Sequence, residues 1–141
     1  LDEVKKNNSD INRIIFAKNL PNKEHLKRIK LADIFLDTFP YTAHTTASDF
    51  IRMGVPIITL AGESFASRVA ASILNRVNLN ELVTKNKDDY QNLAINIGKN
   101  EEKINSLKKK LKESILNSTL FNNVLYTKNL EELLSNLSKN S

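Results

Sequence analysis

Between residues 13 and 85 short apolar runs alternate with stretches of helical pattern, and no other feature of the chain limits its fold so tightly. The runs are RIIFA (13–17), DIFLD (33–37), PIITLA (56–61) and ELVTK (81–85), with helical stretches near 22–31, 45–54 and 63–76. Their nearly continuous Ile, Leu, Val and Phe content predicts strands covered on both faces. Alternation of such strands with helices predicts an α/β fold, a parallel sheet with flanking helices. Beyond residue 86 only helical signals remain: DDYQNLAINIG, EEKINSLKKKLKESIL, and a last helix with Leu130, Leu133, Leu134 and Leu137 spaced i, i+3, i+4, i+7. At 141 residues the chain has room for one domain with a hydrophobic core, so residues 1–141 are read as a single domain whose residues 86–141 form a helical C-terminal part.

Composition removes whole classes of chemistry. The chain has no cysteine, which excludes disulfides, Fe–S clusters and thiolate zinc sites, and its two histidines are the only imidazole ligands. No metal is expected. No apolar run approaches the ~18 residues that span a bilayer, and the polar opening LDEVKKNNSD lacks a signal-peptide apolar segment, so a cytoplasmic protein is expected. The leucine at position 1 suggests a fragment of a longer chain. The net charge of +5 is spread thinly, with 12 basic and 9 acidic side chains in residues 1–85 and 9 and 7 in residues 86–141. Its one dense cluster, KKKLK at 108–112, lies opposite Ile104, Leu107, Leu111 and Ile115 without interleaved aromatics. That pattern is a solvated helix face, and no nucleic-acid partner is expected.

In a parallel α/β sheet ligands bind beyond the carboxyl ends of the strands. The loop TFPYTAHTT follows the run 33–37 and leads into a helix, where unpaired N–H groups and the helix dipole attract phosphate. Thr45 and Thr46 stand where they would meet an anion. Equally, Thr46 with Asp49 three residues on has the spacing of a capping box, and His44 could be a loop residue without a ligand. A second polar segment, NLPNKEHLKR, places Lys23, His25, Lys27 and Arg28 on a helix that follows the run 13–17. It reads either as a charged solvated face or as a second wall of one crevice. Gly54 and Pro56 read as a helix stop and a strand start. No G-x-S-x-G elbow occurs, and the three glycines form neither a dinucleotide fingerprint nor a Walker loop.

The run LADIFLDTFPYTAHTTASDFIRMGVPIITLAGESFASRVAASIL resembles the C-terminal catalytic region of the protein O-GlcNAc transferase family, bacterial relatives included. The similarity begins at RIIFAKNLPNKEHLKR and continues more weakly to STLFNNVLYTKNLEELL, nearly the whole chain. Its most specific pieces are LAD-LDT, HTT--D, G-P, GE--ASRVAAS and LF, in one order. The resemblance implies the C-terminal half of a GT-B glycosyltransferase, the Rossmann-like half that holds the UDP-sugar donor.

It also implies roles residue by residue. The backbone at Leu20 would meet the uracil, His25 would pack on the nucleotide, and Arg28 would lie near the uracil edge. His44, Thr45 and Thr46 would address the diphosphate, and Asp49 would accept hydrogen bonds from the ribose. The family usually carries a lysine directly after the proline of the first loop; here Asn22 stands there, and Lys23 is the neighbouring candidate for that contact. The implied reaction is inverting transfer of N-acetylglucosamine from UDP-GlcNAc to Ser or Thr hydroxyls of proteins. The acceptor groove and the groups that do the chemistry belong to an N-terminal half that this chain does not contain, so no catalytic residue is expected here and the chain alone is expected to be inactive. Another GT-B transferase with a different UDP-sugar, or a nucleotide-binding module without turnover, are the competing expectations.

Overall fold

A computed structural model of the chain describes residues 2–7 and 9–139. The elements run in the order α1 (Asp2–Lys6), a 3-10 turn (Ile11–Arg13), α2 (Asn22–Ile29), β1 (Phe35–Leu36), α3 (Thr45–Arg52), β2 (Ile57–Leu60), a 3-10 turn (Phe65–Ser67), α4 (Val69–Arg76), a 3-10 turn (Asn80–Leu82), β3 (Val83–Thr84), α5 (Lys87–Gly98), α6 (Glu101–Asn117) and α7 (Asn123–Lys139). The strands form a parallel sheet in the order β1-β2-β3, with Phe35 paired to Ile57, Leu36 to Ile58, Thr59 to Val83 and Leu60 to Thr84. The predicted α/β class and flanking helices are therefore present.

Central strand β2 is buried along its whole length, as a strand covered on both faces must be. Its Ile57 and Ile58 pack with Ala47, Ile51, Ala70, Leu74, Val77, Leu79 and Leu82, and α5 and α6 close the core with Ile97, Ile104, Leu107 and Leu111. Phe35 and Phe50 stack at 4.2 Å between ring centres, which fastens α3 to β1. After α3 the chain reverses at Gly54, whose φ of +81° lies in the left-handed region that favours glycine. The Gly54 and Val55 amides donate to the carbonyls of Ile51 and Phe50, which ends the helix and feeds β2. Opposite the buried seam of α6, Lys108 pairs with Asp33 at 2.8 Å and Lys110 with Glu81, so part of the KKKLK cluster is occupied by surface ion pairs.

One predicted strand is absent. Residues 11–13 form a 3-10 turn capped by Asp10, whose carboxylate accepts from the Asn12 amide, and residues 14–21 carry no ladder. Ile15 and Phe16 are 86% and 75% exposed. A strand exists only where a neighbour offers its backbone groups, and no described residue pairs with 13–17. Elsewhere the predicted boundaries shrink. The run 81–85 gives a 3-10 turn and a two-residue strand, and the stretch 63–76 divides at Arg68 into a 3-10 turn and α4. Helix α7 forms as its spacing predicts, yet none of its residues is buried, and Leu130, Leu133, Leu134 and Leu137 face solvent.

Candidate functional site: two polar loops, each with a histidine

The first loop leaves the carboxyl end of β1 at Asp37 and enters α3 at His44. Asp37 is 5% exposed; its Oδ1 accepts from the amides of Thr38 (2.9 Å) and Ala43 (2.8 Å), and its Oδ2 accepts from Thr59 Oγ1 (2.7 Å). Thr38 Oγ1 donates to the Tyr41 carbonyl, and Thr42, itself buried, donates from both its amide (3.0 Å) and its hydroxyl (2.7 Å) to the Ala66 carbonyl. The Ala66 segment is held in turn by Gly62. A Cβ on that glycine would meet Ser67 Oγ at 2.6 Å and Phe39 at 3.2 Å, so only glycine lets the loop after β2 approach so closely.

His44 is the N-cap residue of α3, and no side chain caps the helix. The capping box offered by Thr46 and Asp49 is therefore not formed; Thr45 and Thr46 are exposed and Asp49 is half-buried in the same first turns. The His44 ring stacks on Tyr41 at 4.8 Å, meets Phe65 edge-on at 6.2 Å, and has its Nε2 3.3 Å from the Ala66 carbonyl. A carbonyl only accepts, so Nε2 carries the proton and Nδ1 is the nitrogen left for a ligand.

The second loop, residues 18–25, is held from α2. Arg28 donates through Nη1 to the Lys18 carbonyl at 2.7 Å and through Nη2 to His25 Nδ1 at 3.0 Å. A guanidinium only donates, so Nδ1 of His25 accepts and its Nε2 carries the proton. Arg28 thus braces the backbone that leads to the exposed Leu20, while Lys23 stands exposed on α2. The structure brings His25, Arg28 and Lys18 together, and separately His44, Tyr41, Phe65 and Ala66. Among the described residues no hydrogen bond, ion pair or ring contact links the two sets.

Sequence reasoning passed over Asp37, Thr59 and Tyr90. Tyr90, on α5, donates its hydroxyl to the Asp37 carbonyl at 2.8 Å. Burial first, and the negative charge of Asp37 second, raise its phenol above the ordinary value of 10.0. The signal was there to read: a carboxylate that ends an apolar run stands where the sheet's carboxyl edge is buried. A groove of ≈ 420 Å³ beside this point is lined by Asp37, Phe39, Pro40, Leu60, Lys87 and Tyr90. A larger one of ≈ 650 Å³ follows α4, with Phe65, Arg68, Ser72 and Asn75 among its lining residues. Neither is lined by the residues expected from the sequence.

Compared with known proteins, residues 1–130 match the family described as glycosyl transferase family 41. The chain belongs to that family. Among curated family 41 relatives, the probable UDP-N-acetylglucosamine--peptide N-acetylglucosaminyltransferase SPINDLY of Petunia hybrida is 38% identical over 112 residues, which is 79% of this chain and 12% of that protein. The UDP-N-acetylglucosamine--peptide N-acetylglucosaminyltransferase of Caenorhabditis elegans is 35% identical over 130 residues, 92% of this chain and 11% of that protein. Among solved structures, a mutant of the Thermobaculum terrenum O-GlcNAc transferase superposes with a TM-score of 0.86 at 26% identity, over 94% of this chain and 26% of that one. The resemblance to O-GlcNAc transferases seen in the motifs and the Rossmann-like α/β fold both hold. The family 41 chain described here nevertheless spans only about 12% of the length of the curated relatives it matches. No helix among its described residues is long and apolar enough to cross a membrane.

Proposed function

We propose that this chain is the UDP-GlcNAc-binding part of a protein O-linked N-acetylglucosaminyltransferase, a single nucleotide-sugar-binding domain of a longer enzyme that transfers the sugar with inversion to Ser or Thr hydroxyls. One observation carries the reading. The N-terminus of α3 has no side-chain cap, and it opens with His44, Thr45 and Thr46 at the carboxyl end of a parallel strand, where a diphosphate finds unpaired amides and a favourable dipole. The names of the family 41 relatives support UDP-GlcNAc as the donor and a peptide as the acceptor.

In this reading the α3 amides, the Thr45 and Thr46 hydroxyls and His44 Nδ1 receive the diphosphate and stabilise the charge that grows on it as the sugar leaves. A phosphate oxygen accepts, so His44 meets it as the doubly protonated ring, with Nε2–H still on the Ala66 carbonyl. Asp49 takes the ribose hydroxyls, and the Leu20 backbone with His25 takes the uracil. Arg28 reaches the base through the loop that it braces, because its guanidinium is engaged by the Lys18 carbonyl and His25 Nδ1. Lys23 is a phosphate contact from the second loop. The acceptor and the base that removes its proton come from the rest of the enzyme.

The test is calorimetric titration of the folded chain with UDP, CDP and GDP, followed by transfer assays. Millimolar or tighter UDP binding with weaker CDP and GDP binding is expected, with no transfer by the 141-residue chain and transfer once the upstream part of its own gene is supplied. Absence of UDP binding by a folded sample would overturn the donor site. Turnover by the chain alone would overturn the division of labour, and an inactive but folded reconstituted complex would favour a binding module.

A further inference from the structure

We infer that Asp37 is the positioning residue of the diphosphate loop, a buried anion whose task is to set where His44 and the first turn of α3 stand. The inference rests on the donor-binding reading above. A carboxylate this deeply buried normally has a cation beside it, because desolvating a charge is costly. The ion pairs described elsewhere in the chain leave Asp37 out, and the groups on its two oxygens are neutral donors: two backbone amides and the Thr59 hydroxyl.

The pattern of those donors says what the charge is for. Oδ1 bridges the amides at the two ends of the loop, Thr38 and Ala43, and so closes it at its base. Oδ2 ties that base to Thr59 on the central strand, and Thr59 is itself locked to β3, where Thr84 Oγ1 donates to the Thr59 carbonyl at 2.9 Å. Tyr90 holds the Asp37 carbonyl from α5. On either side of Ala43, Thr42 and His44 converge on the one Ala66 carbonyl. The Asp37 side chain therefore ties the base of the loop to the central strand, Thr59 carries that tie on to β3, and the main-chain carbonyl of Asp37 is held by α5. The two loop amides can only donate, so this position must present them an acceptor oxygen, whereas the Thr59 hydroxyl can turn to donate or to accept.

The experiment compares Asp37→Ala and Asp37→Asn with the unaltered full chain, by UDP and uridine titration and by hydrogen exchange of residues 38–46. Asparagine keeps one acceptor oxygen for the two loop amides, and alanine keeps none. Expected for Asp37→Ala are an about tenfold or greater loss of UDP affinity, an uridine loss below about threefold, and about tenfold faster exchange confined to 38–46. Asp37→Asn is expected to restore UDP binding to within about threefold of the unaltered chain. Equal losses for UDP and uridine, unchanged exchange in 38–46, or an asparagine variant no better than alanine would overturn the inference. Should Asp37→Ala not fold, the asparagine variant and Thr59→Val, which removes only the Oδ2 contact, decide it by the same loop exchange. Absence of UDP binding by the unaltered chain would overturn the donor-binding reading instead, while the exchange comparison would still decide whether Asp37 holds the loop.

Discussion

The two polar loops of this chain are both fixed by contacts within it, but one is rooted in the core and the other hangs from the surface. At the first, Asp37, Thr42 and Thr59 are buried, and their hydrogen bonds run through the sheet's carboxyl edge. At the second, one half-buried arginine on α2 holds a carbonyl and a ring nitrogen. The histidines show the same contrast in their protons: His44 donates from Nε2, whereas His25 accepts at Nδ1 and presents Nε2–H. A group that must meet developing charge is better held by a rigid base, because a preorganised donor needs no reorganisation when the charge appears. In the proposed reading the second loop only follows the edge of a base, and there a softer brace suffices.

The contrast can be broken most severely from underneath. Ile51 is fully buried on the inner side of α3, so Ile51→Ala is expected to cost about 2–5 kcal/mol of stability and to loosen the first loop while the second keeps its contacts. Thermal unfolding and segment-resolved hydrogen exchange measure both; equal loosening of the two loops would erase the distinction. His44→Ala is expected to weaken UDP by about 1–3 kcal/mol more than uridine, since in the proposed reading it removes a charge-assisted bond to phosphate. Titration of both ligands shows it, and a large fall in melting temperature with equal ligand losses would make the ring a structural group. Arg28→Ala should instead weaken UDP and uridine alike, by about 1 kcal/mol, because it releases the loop at Leu20 and leaves the phosphate side intact.

Tyr90→Phe sharpens the comparison with a pH signature. Loss of its bond to the Asp37 carbonyl is expected to cost about 0.5–1.5 kcal/mol near neutral pH. The folded chain raises this phenol above 10.0, so it binds that proton more tightly than the unfolded chain does. The resulting stability is complete below pH 10.0 and is lost as pH rises through the higher folded value. Alkaline unfolding of the unaltered chain should show this decline, and Tyr90→Phe should lack its share. Smallest of all, Leu134→Gln on the exposed face of α7 is expected to shift stability by no more than about 0.5 kcal/mol. A larger loss in the melting curve would place a partner on that face in solution.

Much of this was written locally. A continuous apolar run such as PIITLA needs cover on both faces wherever it sits, and it became the buried central strand; Gly54 and the spacing of α3, α5 and α6 specified a turn and helical faces without help from distant residues. The order His44, Thr45, Thr46 before a helix was likewise legible, since a helix N-terminus has the same unpaired amides in any protein. What the tertiary structure decided was whatever depends on a partner remote in sequence. RIIFA has the composition of a strand, yet no described residue pairs with it, so Arg13 ends a 3-10 turn and Ile15 and Phe16 stay exposed. Thr46 and Asp49 have the spacing of a cap, yet the cap position went to His44, which is drawn to the Ala66 carbonyl 22 residues away. Asp37 stands in the LDT piece of the resemblance, but its role was not legible there, because its partner Thr59 comes within reach only when β1 and β2 lie side by side. Periodicity reports which face of an element wants to be buried; hydrogen bonds and burial report what arrived to bury it, and that is settled only when the whole chain has packed.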